Sequence, residues 1–99
     1  MKLTNIRYSN HLLYERADRL AQIHAVGIGQ PIKESWHYDC YHVLTDTGVV
    51  LVIDKDGTYC VTAYFIDHRE ANKLYRGKTP KAVQRRIDRN IAAGLVNRR

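Results

Sequence analysis

Val49-Val50-Leu51-Val52-Ile53-Asp54-Lys55-Asp56-Gly57-Thr58-Tyr59-Cys60-Val61-Thr62-Ala63-Tyr64-Phe65-Ile66 is the stretch whose reading decides the fold. Two runs rich in β-branched and aromatic residues flank Asp54-Lys55-Asp56-Gly57, and Gly57 supplies the left-handed residue of a short hairpin loop. Upstream, Trp36 to Thr45 is a third such run, set off from Val49 by Thr45-Asp46-Thr47-Gly48. The three runs predict an antiparallel meander, with Trp36–Thr45 as an edge strand.

Hairpin geometry fixes a register, and register sorts side chains onto faces. With Thr58 opposite Asp54, Ile53 meets Tyr59, Leu51 meets Val61 and Val49 meets Ala63. With Thr45 opposite Val49, Tyr41 and Val43 join that face. It is nearly all apolar and is expected to receive a helix. The other face carries His42, Leu44, Val50, Val52, Cys60, Thr62 and Tyr64, a mixed set that is either partly covered or the working surface.

Ahead of the meander, Leu3 to Tyr8 alternate loosely as a short strand, and Ser9 and Asn10 are cap residues. They open a helical pattern reaching about Val26, with Leu12, Leu13, Ala17, Leu20 and Ile23 on its apolar stripe. Glu15 and Arg19 stand at the spacing of an i,i+4 ion pair. After the meander, Asp67 caps a helix from Arg69 to Arg76, closed by Gly77. Thr79 caps another, with Pro80 at its first position, running to about Ala93 before Gly94. Its stripe is narrow: Val83, Ile87 and Ile91. Leu95 and Val96 are expected to pack back, and Asn97-Arg98-Arg99 to fray. The predicted class is α+β: an N-terminal helix on a three- or four-stranded antiparallel meander, followed by two C-terminal helices. Residues 1–99 form one domain, divided into a helix-plus-sheet core (1–66) and a basic helical appendage (67–99).

Composition agrees with one folded unit: 99 residues, 44% hydrophobic. No apolar run approaches the ~20 residues that span a bilayer, and the start lacks the apolar segment of a secretory signal. A cytoplasmic protein without membrane contact is expected. Cys40 and Cys60 belong to no ligand spacing, so they read as buried inert thiols and no metal or cofactor is expected. Phosphate-cradling glycine loops, nucleophile elbows and paired-carboxylate motifs are absent, which excludes the ATP-dependent and hydrolase chemistries built on them.

Charge is lopsided. Residues 1–68 carry a net −2 and residues 69–99 a net +8, giving the overall +6. A one-signed segment attracts polyanions, and nucleic acid is the commonest of these. Lys81, Arg85 and Arg89 recur every fourth residue as a stripe able to track phosphates, with Lys78 and Arg86 beside it. The plain alternative is a solvated helix face, but such faces mix signs, and here only Asp88 interrupts.

Metal-free RNA cleavage needs a base, an acid and a cation for the phosphorane. Histidine suits the proton roles, and five are present: His11, His24, His37, His42 and His68. Any one of them is more often structural. Tyr38 and Tyr64 are the strand tyrosines left to stack bases once Tyr41 and Tyr59 are assigned to the core.

A helix that begins with His11 and carries Arg16 and Arg19, then a twisted antiparallel sheet whose last strand reads Val61-Thr62-Ala63-Tyr64, resembles the small nuclease-toxin superfamily of barnase-like, colicin-like and RelE-like ribonucleases. The likeness covers residues 6–66. The His-to-Arg spacing is five, where the nearest family pattern has four, and residues 79–93 have no counterpart there. The resemblance implies a metal-independent ribonuclease with His11, Arg16, Thr62 and Tyr64 as catalytic residues, RNA favoured over DNA, and an inhibitory protein partner. Two other readings stand beside it. One is a non-catalytic DNA- or RNA-binding protein of phage or mobile-element origin, its C-terminal helices a helix-turn-helix reading bases with Lys81, Gln84 and Arg85. The other is a protein-interaction module.

Overall fold

β4 (Val49–Asp54) is the spine of a five-stranded mixed sheet in a computed structural model that describes Leu3 and residues 6–96. The strand order is β1-β5-β4-β3-β2. β2 (Pro31–His37), β3 (Cys40–Thr45), β4 and β5 (Tyr59–Phe65) form an antiparallel meander. β1 (Arg7–Tyr8) joins the far edge parallel to β5. The α+β class stands, while the layout differs from the expected one in several places.

Trp36 to Thr45 is two strands. Tyr38 and Asp39 both take left-handed backbone (φ 52° and 59°), turning β2 back along β3. β3 is therefore interior, and β2 occupies the edge. The β3–β4 register is the expected one, with Leu44 opposite Val50. The β4–β5 register is not. A bulge shifts the pairing so that Ile53 meets Cys60 while Val52 meets Thr62 and Leu51 meets Ala63. Cys60 turns into the core, and Tyr59 and Val61 are left 37% and 38% exposed.

The N-terminal helix is broken. Ser9 Oγ accepts from Leu12 N (3.2 Å), as a cap should, but a π-helical turn follows over His11–Glu15, closed by Arg16 N donating to His11 O (2.9 Å). Arg16 leaves helical geometry (φ −128°, ψ 33°), and α1 runs Ala17–Val26. The break takes Glu15 and Arg19 off a common helix, so Glu15 bonds His11 instead (2.6 Å). Of the expected stripe only Leu12 and Ile23 are fully buried, and Leu13 is exposed.

Both faces of the sheet are covered. Leu12 and Ile23 pack on Val43, Val49, Leu51, Ile53, Cys60, Ala63 and Phe65, with Leu95 and Val96 folding back at the margin as expected. On the other face, α2 (His68–Tyr75) and α3 (Lys81–Ala92) bring Ala71, Val83 and Ile87 onto Leu44, Val50, Val52 and Ile66. The mixed face is thus largely covered, and the segment after Ile66 builds half of the core. Asp67 caps α2 by accepting from Glu70 N (2.8 Å). Thr79 does not cap α3; its amide and hydroxyl both donate to Asn72 Oδ1. Thr4 and Asn5 of the expected first strand, and the tail Asn97–Arg99, lie outside the described residues.

Candidate nucleic-acid interface

α3 is held from one side. Val83, Ile87 and Asn90 are buried against the sheet, and their spacing places Lys81, Arg85 and Arg89 on roughly the opposite side. These three are exposed, as is Lys78 in the connection from α2, while Arg86 is half-buried at the flank. Among the described residues none of the five pairs with a carboxylate. Asp88, the acid on α3, is occupied: His68 Nε2 donates to its Oδ1 at 2.7 Å, tying the start of α2 to α3. The basic stripe expected from the sequence is therefore a cationic surface, free of carboxylate partners among the described residues, on a helix packed against the sheet. Because α2 and α3 both lie on the sheet, the pair is integrated with the core.

Aromatic surface lies on the β2–β3 hairpin. Tyr38 at its tip is 97% exposed and Trp36 49% exposed, the latter set edge-on to Tyr41 with ring centroids 4.8 Å apart. Tyr64 is half-buried instead. Burial first, and then Glu70, push its phenol above the usual tyrosine range, so its hydroxyl remains a donor throughout the neutral range.

A cleft of about 680 Å³ lies beside the second half of β5. Thr62, Tyr64 and Phe65 line it from the strand, Arg19 from α1, Asp67, Arg69, Glu70 and Lys73 from α2 and its cap, and Val96 from the segment after α3. It unites two of the expected catalytic residues, Thr62 and Tyr64, with three cations. His11 and Arg16 are not among its lining residues. His11 is engaged with Glu15, and Arg16 lies in a separate open depression with Tyr14, Glu15 and Arg19. Nothing in the sequence spacing shows that Arg69 and Lys73 share a cleft with Arg19, because α1 and α2 are far apart in sequence.

The remaining histidines have local roles. His24 stacks edge-on against Tyr8, and His37 bonds Ser35 Oγ at 2.9 Å. His42, beside His37 at 5.6 Å between ring centroids, buries an Nδ1 that has no hydrogen-bond partner. Burial chiefly, and then His37, hold its pKa below the ordinary imidazole range, with the Cys40 backbone opposing. Cys60 is buried, with its thiol pushed up to about 12, and Cys40 is half-buried; both are free. No group of three or more histidine, cysteine or carboxylate side chains suited to a metal occurs among the described residues. No helix among them is long and apolar enough to cross a membrane.

No protein-family profile, curated protein or solved structure matches this chain. The ribonuclease likeness accordingly rests on its own residues.

Proposed function

We propose that this protein binds single-stranded nucleic acid, RNA in preference to DNA, by phosphate contacts along the outer side of α3. The observation that carries the reading is the set Lys81, Arg85 and Arg89, exposed, free of carboxylate partners among the described residues, and anchored from behind by Val83, Ile87 and Asn90. A one-signed stripe on a fixed helix suits a polyanion that runs along it. Tyr38 and Trp36 supply exposed rings for unpaired bases, which favours a single strand over a duplex. The reading stops at binding. Thr62 and Tyr64 share a cleft with cations, but no imidazole lines it to move a proton at neutral pH.

Binding of a labelled oligoribonucleotide, followed by anisotropy over a salt series, tests this. For a single strand each phosphate contact contributes about 0.7 to the slope of log K against log salt. Lys78, Lys81, Arg85, Arg86 and Arg89 together would give a slope of roughly −3 to −4 by the same rule. Arg85→Glu with Arg89→Glu should flatten that slope and abolish most of the affinity. Tyr38→Ala should weaken binding while leaving the slope unchanged. Undiminished binding by the double charge reversal would sink the proposal.

A further inference from the structure

Thr62 and Tyr64 stand two residues apart on β5, opposite Val52 and Val50, so both side chains turn to the sheet face on which α2 packs. Arg69 and Lys73 lie one turn apart on one side of α2. Together with Arg19 of α1 these residues line the 680 Å³ cleft, whose size falls within the roughly 300–1,000 Å³ of small-molecule sites. Arg19, Thr62 and Tyr64 are half-buried, while Arg69 and Lys73 are exposed. Among the described residues no carboxylate pairs with any of the three cations, and no hydrogen-bond partner meets their side chains or the hydroxyls of Thr62 and Tyr64. The cleft is therefore lined by donors that the protein itself leaves unanswered. Its acceptors are fewer. Asp67 commits Oδ1 to the amide of Glu70 and leaves Oδ2 without a donor among the described residues, and Glu70 stands close enough to Tyr64 to help raise its phenol.

We infer that the cleft binds a phosphate monoester bearing vicinal hydroxyls, as a ribose phosphate does. Arg19, Arg69 and Lys73 hold the phosphate, Thr62 and Tyr64 donate to its oxygens, and Glu70 and Asp67 accept from the sugar hydroxyls. Phosphate oxygens accept and do not donate, which matches an unanswered donor set, and guanidinium and ammonium groups make their strongest hydrogen bonds to such oxygens. Tyr64 suits its part because its raised phenol keeps its proton throughout the neutral range. The two carboxylates decide against a bare inorganic anion, which they repel, and in favour of a ligand that also brings O–H groups. Apolar contact contributes little, since Phe65 and Val96 are the apolar lining and Phe65 is 4% exposed. None of the α3 stripe lines the cleft, so this inference is independent of that surface.

Titration calorimetry on the full chain tests this with ribose 5-phosphate, inorganic phosphate and ribose as probes. Ribose 5-phosphate binds saturably and roughly tenfold or more tighter than inorganic phosphate, as added hydrogen bonds to a carboxylate should make it, and ribose gives no heat. Arg19→Gln with Lys73→Gln weakens ribose 5-phosphate by roughly tenfold or more, with the thermal melt confirming that the variant is folded. Glu70→Ala narrows the gap between ribose 5-phosphate and inorganic phosphate, which a merely positive surface would not do. Arg85→Glu with Arg89→Glu leaves ribose 5-phosphate binding unaffected. A free sugar phosphate and the phosphorylated end of an RNA strand offer the same group, and competition in that last variant separates them. Displacement of ribose 5-phosphate by a 5′-phosphorylated oligoribonucleotide, but not by its 5′-hydroxyl twin, identifies the strand end; displacement by neither identifies the free small molecule. The proposal is overturned if both displace it equally, if ribose 5-phosphate shows no saturable binding, if inorganic phosphate binds as tightly, or if the Arg19 and Lys73 variant binds undiminished.

Discussion

Asn90 donates its side-chain amide to the backbone carbonyl of Thr47 across 2.9 Å, a buried bond joining α3 to the β3–β4 turn. Gly48, next in that turn, has φ +79°, and a β-carbon there would sit 2.9 Å from Asn90 Nδ2 and 3.0 Å from Ile87 Cγ1. Turn and helix are thus fitted to each other, and this joint sets how firmly the basic side of α3 is presented.

Asn90→Ala leaves the Thr47 carbonyl buried without its donor and should cost about 1–3 kcal/mol of unfolding free energy. Gly48→Ala should cost about 1–2 kcal/mol from the left-handed backbone alone, and more from contact with Asn90. Urea denaturation measures both. A variant that unfolds at the wild-type midpoint would show that the joint contributes nothing to stability.

His42 predicts a pH dependence. Its folded pKa is depressed, mainly by burial. A depressed base is neutral in the fold, while the unfolded chain takes up a proton near pH 6.5. The stabilisation is therefore fully present above about pH 6.5 and is lost as pH falls below it. His42→Leu should flatten the decline in stability between pH 7 and 5, as seen in thermal melts across that window. An unaltered slope would remove His42 as its source.

Cys60 should be chemically silent in the native protein. With its thiol at about 12 and no exposed surface, it offers almost no thiolate at pH 8. Iodoacetamide should label Cys60 only after denaturation, with the site identified by mass spectrometry. Native labelling at Cys60 would show that β5 opens locally around the bulge.

The parts of this fold that were legible in the sequence were those governed by local chemistry. Gly48 marks the β3–β4 turn, and the register it implies, Leu44 opposite Val50, is the one found. Asp67 reads as a helix cap and is one. The β5 bulge was not legible, because Tyr59-Cys60-Val61-Thr62 offers several apolar positions and no punctuating residue to say which is extra. The Tyr38-Asp39 turn was hidden because tyrosine in left-handed backbone is uncommon and the run around it reads as one strand. Arg16 could not be seen to break the helix, since arginine is a good helix former. The α3 stripe followed from spacing, since it lies on a single helix. The cleft did not, because Arg19, Tyr64 and Lys73 come from three elements that only the tertiary fold brings together.

Alternation along β4 sends Val49, Leu51 and Ile53 into one layer and Val50 and Val52 into the other. Neither layer therefore has a strand of its own, and loosening one releases a wall of the other. The protein should melt in one cooperative step, with Trp36 fluorescence and helical circular dichroism falling together. Removing the helices after Ile66 would then not trim the protein to a smaller domain; it would take away the partner that keeps half of every central strand dry.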